Sequence, residues 1–266
     1  MSLQLCGVIH LIDDFRELRA YCGNREVFIN RRICVKGRAS MTLLPDFFLV
    51  IVYNMSDEDM SEIQNKKELK ICTSDKAVLC SGEVEDIYRH TEGMNDVFEV
   101  SLSDGQTFWE KRINKPVGGG TTFKSTLYHI IEGARMGSYL ADDPRFIRPQ
   151  AFSGRLADAV LDIAKGVHAR AFLSKNVVHV VTKGKSEIII TVSEDELIEE
   201  PNYANGVCIL RTVVKAYPVG VLCEFRNKRF RLVTNAVSAD NYKGDWQEEI
   251  TLVDESYLDE NGMDGG

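Results

Sequence analysis

Runs of β-branched and aromatic residues broken by turn chemistry fill most of this chain, and that pattern limits it to folds built mainly on antiparallel strands. "RRICVKGRAS" and "FFLVIVYNM" lead into "SDEDMSEI", where Ser56 can cap a short helix with acids in its first turn. "ELKICT", "AVLCSGEVEDIYRH" and "DVFEVSLSD" follow, with turn residues "TSDK" and "TEGMND" between them. This much reads as a small antiparallel barrel or sandwich with one short helix.

The middle of the chain changes period. Phe123, Leu127, Ile130, Ile131 and Ala134 recur at helical spacing and predict a helix from about Thr122 to Ala134. After the connector "GSYLADDPRFIRP", a second helix is expected with its cap near Ser153 and an apolar stripe of Leu156, Ala159, Val160, Ile163, Ala164 and Val167. "NVVHVVTKGKSEIIITVS" reads as a hairpin turning around Lys183 to Lys185. Strands return in "GVCILRTVV", "GVLCEFRNKRFRLVTNAVSAD" and "WQEEITLVD", with "NYKGD" as the last turn and an acidic tail, "DESYLDENGMDGG", at the end.

With 266 residues the chain can hold one large or two small domains. Its 40 acidic and 32 basic residues give a net charge of −8, which opposes nonspecific affinity for nucleic acid because phosphate neutralisation needs a basic face. Cysteines 6, 22, 34, 72, 80, 208 and 223 form no C-x-x-C pair and read as reduced, buried thiols of a protein made in a cytoplasm. Histidines 10, 90, 129, 168 and 179 have no ligand spacing, so no metal site is expected. Neither a signal h-region nor an 18-residue apolar span occurs, and no membrane insertion or cleaved export signal is expected.

One segment, "PVGGGTTFKSTLYHII", imitates a phosphate-binding loop: Gly118, four residues, then Phe123, Lys124 and Ser125 keep the spacing but replace the second glycine with phenylalanine. A benzyl group there occupies the space an anion needs, and the charged "FWEKRIN" upstream is not the buried parallel strand that feeds such loops. Thr121 or Thr122 capping a helix accounts for the same residues. No nucleophile, base and oxyanion donor share a recognisable motif, so no catalytic residue and no cofactor is assigned.

Residues 81–104 and 231–254 align without a gap at an offset of 150, with Glu99, Leu102 and Asp104 meeting Glu249, Leu252 and Asp254. In that alignment Ile87 meets Val237 and Val100 meets Ile250, which suggests two similar β units separated by helical material.

"LLPDFFLVIVYNMSDEDMSEIQNKKELKICT" and "VLCSGEVEDIYRH…DVFEVSLSDG" resemble the N-terminal barrel of bacteriophage tail hub proteins. "FSGRLADAVLDIAKGVHARAFLSKNVVHVV" resembles the hub helix and the strands after it, and "NGVCILRTVVKAYPVGVLCEFRNKRFRLVTNAVSADNYKGDWQEEITLV" the second barrel. The resemblance spans about residues 25 to 253; "LQLCGVIHLIDDFRELRAYCG" has no counterpart in it. It implies an α+β, mainly β chain with two tube-like antiparallel β-barrels, residues 1–105 and 106–253, the second carrying inserted helices and a hairpin at about 121–200, before a tail at 254–266. It implies a baseplate hub of the virion, or of a related contractile injection device, assembled in the host cytoplasm. Three copies would form a ring of six barrels joining a sixfold tail tube protein to a threefold spike or tip, among other baseplate proteins, with DNA in transit only. The alternatives are a nucleotide-dependent enzyme built on 118–125 and a monomeric small-barrel binding module, which would want a basic groove.

Two sets of residues follow from the ring reading. Strand alternation sets Glu83 and Glu85 opposite to Val84, and Glu99 and Ser101 opposite to Val100, with repeat partners Val233, Asn235, Glu249 and Thr251. Glu83, Glu85, Glu99 and Glu249 are therefore expected to face the channel, where carboxylates would repel a passing duplex. Tyr257 and Leu258 are expected to dock the self-repelling tail on a neighbouring chain.

Overall fold

The computed structural model describes residues 16–132 and 135–260, the last three by their backbone alone. The first unit consists of β1 (Leu18–Cys22), β2 (Arg25–Val27), β3 (Ile33–Ser40), β4 (Asp46–Tyr53), α1 (Asp57–Lys66), β5 (Glu68–Thr73), β6 (Val78–Glu92) and β7 (Asn95–Asp104). Ser56 caps α1 by accepting the Asp59 N–H at 3.1 Å, and Lys67 ends it in the left-handed region at φ 53. Alternation in β4 sends Phe48, Val50 and Val52 into the core and leaves Phe47, Leu49, Ile51 and Tyr53 on the other, open face.

A middle body follows: α2 (Gln106–Glu110), β8 (Arg112–Val117), α3 (Phe123–Ile130), β9 (Arg135–Leu140), β10 (Gln150–Arg155), α4 (Leu156–Gly166), β11 (Arg170–Ser174) and β12 (Val177–Val181). Its core joins Leu127, Ile130 and Ile131 to Leu156, Val160, Ile163, Leu173 and Val178, and includes Phe108 and Ile113 from upstream of residue 121. Three local expectations change here. The connector after α3 contributes β9, which pairs in parallel with β12. Ser153 lies in β10, and α4 starts after Arg155 because 150–155 is drawn out as a partner for β8. The hairpin turn falls at Lys175–Asn176, both left-handed, between β11 and β12, and the arms on either side of Lys183–Lys185 do not pair with each other.

The second unit holds β13 (Ile189–Thr191), β14 (Asn202–Ala204), β15 (Val207–Val213), β16 (Leu222–Phe225), β17 (Lys228–Asp240) and β18 (Trp246–Val253), before α5 (Glu255–Glu260). The architecture is α+β and mainly β, but among the described residues neither unit closes on itself as a barrel. Instead both belong to one 13-stranded sheet running β14-β15-β18-β17-β3-β4-β7-β6-β5-β1-β2, with β16 branching from β17 and β13 pairing with β16. The join is β17 with β3, seven antiparallel pairs from Thr234↔Ser40 to Asp240↔Cys34. Val237, Ala239, Val214 and Ala216 of the second unit enter the first unit's core, so the seam is buried as well as hydrogen-bonded.

The repeat is real in the backbone, with a corrected register. In β6–β7 a bulge at Glu85 separates the pairs Val84↔Leu102 and Asp86↔Ser101; in β17–β18 one at Val233 separates Leu232↔Leu252 and Thr234↔Thr251. Leu102 and Leu252 keep the offset of 150, while the first strands match at 148, because the loop after Asp240 is two residues longer than the Gly93–Met94 turn. Ile87 thus corresponds to Asn235, and Glu85 to Val233. The bulges also explain why Val84 and Ile87, three residues apart, both turn toward the core: the extra residue restores the alternation that strict pleating would break.

Candidate functional site

The phosphate-loop imitation is scaffold. Thr122 accepts the Ser125 N–H at 3.2 Å as the cap of α3, and Phe123 stacks on Phe146 with centroids 4.2 Å apart. Lys124 lies 5.7 Å from the Tyr139 ring centroid. The feeding segment is β8, paired antiparallel to β10, not a central parallel strand.

The four predicted glutamates fall on one surface. Glu83 pairs with Ser103, Glu99 sits between Ile51 and Tyr88, and Glu249 lies between Arg211 and Ala236, all on the face of the continuous sheet turned away from the core. The bulged Glu85 joins them by accepting a hydrogen bond from Ser103 Oγ, and Glu83 accepts from Thr107 at 2.7 Å. Lys36 and Arg38 of β3 share this face, as does Arg211, which is tied to Glu199 and Glu249 at 2.9 Å each. Of the expected repeat partners Thr251 lies on it too, whereas Asn235 is buried in the core, a consequence of the corrected register.

The Tyr257 ring covers Gly206 of its own chain, where a Cβ would stand 2.9 Å from the ring, so this side chain is seated within the chain. Leu258 falls outside the residues whose side chains are described.

Sequence reasoning missed three buried carboxylates that hold loops in place. Asp104, at the end of β7, accepts the N–H groups of Lys175 and Asn176 at 2.5 and 2.6 Å, clamping the β11–β12 turn of the middle body onto the first unit. Asp46 accepts from Ser40 N and Oγ at 3.0 and 2.8 Å. Glu248, fully buried where the first unit has Phe98, accepts the Ala216 N–H at 2.8 Å, and nearby Asn235 donates to Tyr217 O at 2.8 Å. Burial raises Asp46 and Asp104 to about 6 and Glu248 to about 7. A signal existed for the last: an acid at 248 inside the alternating core positions Ile250 and Leu252 is out of pattern.

A cleft of about 680 Å3 lies between the first unit and the middle body, lined by Lys70, Glu83, Thr107, Lys111, Arg135 and Lys175. Burial lowers the Lys175 amine, which donates to Val78 O at 2.7 Å and so closes the wall of the cleft. Among the described residues no cluster of His, Cys, Asp and Glu could hold a metal ion, and no helix is long and apolar enough to cross a membrane. The six described cysteines are free and buried.

No family model and no curated sequence matches the chain. Solved structures do. A tail protein from Neisseria meningitidis MC58 superimposes with a TM-score of 0.62 at 9% identity, over 90% of this chain and 97% of that one. The 43 kDa tail protein of prophage MuSo2 from Shewanella oneidensis gives 0.63 at 8% identity, over 91% and 99%. An E. coli component of the type VI secretion system, described as structurally similar to the T4 tail proteins gp27 and gp5, gives 0.57 at 11% identity, over 90% and 76%. At these identities the likeness is one of fold, and the fold is that of bacteriophage tail proteins and their type VI secretion counterpart.

Proposed function

We propose that this chain is a structural baseplate hub of a phage tail, forming a trimeric ring that adapts a sixfold tail tube to a threefold spike or tip and lets DNA pass. The observation that carries this is the pair of bulged hairpins, β6–β7 and β17–β18, held side by side in one sheet by the β17–β3 join. Two equivalent units per chain are what a threefold protein needs in order to present six similar units to a sixfold partner. The role is architectural rather than catalytic, and assembly takes place in the host cytoplasm before incorporation into the virion.

In this reading the open face of the sheet lines the channel. Glu83, Glu85, Glu99 and Glu249 set carboxylates along it that repel a duplex, beside the bases Lys36, Arg38 and Arg211, of which Arg211 is already paired with Glu199 and Glu249. Tail tube protein, spike and other baseplate proteins are the expected partners, and Leu258, beside the seated Tyr257, is a contact for a neighbour. Mass photometry of the purified chain, alone and with the tail tube and spike proteins of the same particle, tests the assembly. Trimers, with sixfold-looking rings in electron micrographs, support the hub; a monomer in every mixture favours a small-barrel binding module instead.

A further inference from the structure

We infer that the distal edge of β6, from Asp86 to Glu92, pairs in antiparallel fashion with the β14 edge, Asn202–Ala204, of a second copy of this chain, and that this strand pairing is the joint between copies; the inference rests on the ring reading above. The observation behind it is an asymmetry between the two equivalent hairpins. β17 is covered along one side by two strands in succession, β16 over Lys228–Arg231 and, past the bulge at Val233, β3 over Thr234–Asp240. β6 is covered by β5 only as far as Glu83, with one further backbone bond from the Val84 N–H to Lys67 O. Past its own bulge at Glu85, residues Asp86–Glu92 correspond one for one to Thr234–Asp240, yet among the described residues no strand lies along that side. A row of unmade backbone hydrogen bonds is a template for another strand.

The same equivalence names the strand that fits. β15 pairs with β18 as β4 pairs with β7, Cys208↔Leu252 matching Phe48↔Leu102. The strand beyond β4 is β3, which supplies the seam inside the chain; the strand beyond β15 is β14, which ends the sheet with all three residues exposed. β14 thus stands to β15 as β3 stands to β4, and β6 awaits what β17 already has. Within one chain the two edges lie seven strands apart, at β14 and β6, so only another copy can bring them together. The contact is head-to-tail, and a head-to-tail contact either closes a ring or grows a filament.

Register follows by transfer. Gly37↔Phe48 matches Tyr203↔Cys208, and Gly37↔Val237 then places Tyr203 of one copy opposite Arg89 of the next, Asn202 opposite His90 and Ala204 opposite Tyr88. The side chains at these positions are complementary. Tyr88 and Tyr203 remain 59% and 47% exposed in one copy, although Tyr88 stacks on His90 at 5.6 Å between centroids and Tyr203 interacts with Cys208 and Arg226 of its own chain. The Arg89 guanidinium lies 5.3 Å from the Phe98 centroid, and the Tyr203 ring would meet it from the other side as a second π partner. His90 Nδ1 is buried without a hydrogen-bond partner, and the Asn202 amide opposite can supply one.

Cysteine pairing tests the register. Tyr88→Cys with Ala204→Cys in the full chain should form, on oxidation, intermolecular disulfides seen as covalent oligomers on non-reducing gels. Either single variant should remain uncrosslinked, and Glu92→Cys with Ala204→Cys, out of register, should react at least tenfold more slowly. Covalent trimers as the end product support both the joint and the three-chain ring. Open-ended polymers support the joint and overturn the three-chain ring. Rings in micrographs without in-register cross-linking, or equal rates for both pairs, overturn the joint while the hub reading stands. Monomers without cross-links, with and without the tail partners, overturn both.

Discussion

The guanidinium of Arg231, only 2% exposed at the start of the β17–β18 pairing, is bound by the carboxylate of Glu255, the first residue of α5. Arg231 also donates to Lys185 O at 3.0 Å and Gly220 O at 2.8 Å, and the Glu255 carboxylate accepts the Gly184 N–H at 2.5 Å. The beginning of the acidic tail is thus part of the fold of the second unit. Glu255→Ala leaves a buried cation short of its counter-charge and should cost about 3–5 kcal/mol in urea unfolding. A truncation that keeps Glu255 through Tyr257 and removes the rest should leave monomer stability within about 0.5 kcal/mol. That truncation, rather than deletion from Glu255 onward, isolates any contribution of Leu258 and its neighbours to assembly, read by mass photometry.

Stability should fall as pH rises from about 4.5 to 7.5. Asp46, Asp104 and Glu248 have folded-state values raised to about 6, 6 and 7. Each is more stabilising protonated than ionised: its contribution is full below the unfolded value near 4 and is lost as pH passes through the raised one. Each group contributes on the order of 1–3 kcal/mol to the slope. Acids held low by partners, such as Glu132 hydrogen-bonded to Lys115, act with the opposite sign only at the acid end. Thermal melts across this range check the slope, and Asp104→Asn should flatten it.

Truncating the middle body's core should be expensive. Leu127, Ile131, Val160 and Ile163 are buried where α3 meets α4, as their helical spacing predicts. Leu127→Ala or Ile163→Ala should cost about 2–5 kcal/mol by denaturant titration.

Nucleotide should have no effect on this chain. With Phe123 stacked on Phe146 and Thr122 already capping α3, no cradle remains around Gly118–Gly120 for a triphosphate. ATP and GTP at millimolar concentration with magnesium should leave the melting temperature unchanged, and Lys124→Ala should shift stability by less than about 0.5 kcal/mol.

Charge reversal on the open face distinguishes a lumen from an outer wall. Glu99→Lys with Glu85→Lys should permit ring assembly but slow genome release, since each new cation can hold a phosphate. Release kinetics of particles carrying the double variant, at two salt concentrations, provide the readout. A normal rate would place these residues elsewhere than the channel.

The sequence alone determined the strand-rich class, the cap of α1 at Ser56, the apolar stripe of α4 and the match of β7 with β18, because these depend on period, capping chemistry and local turn residues. Only the tertiary structure decided the rest. The loop after Asp240 is two residues longer than the Gly93–Met94 turn, so an ungapped alignment sets β6 against β17 two residues out; the bulges, which leave no compositional mark, break the strict alternation and carry Asn235 to the core face. The β11–β12 turn moved to Lys175–Asn176 because Asp104, 71 residues earlier, binds its N–H groups. The merging of two expected barrels into one sheet depends on backbone pairing between β3 and β17, about 200 residues apart, and main-chain hydrogen bonds between distant strands are written in no side-chain pattern.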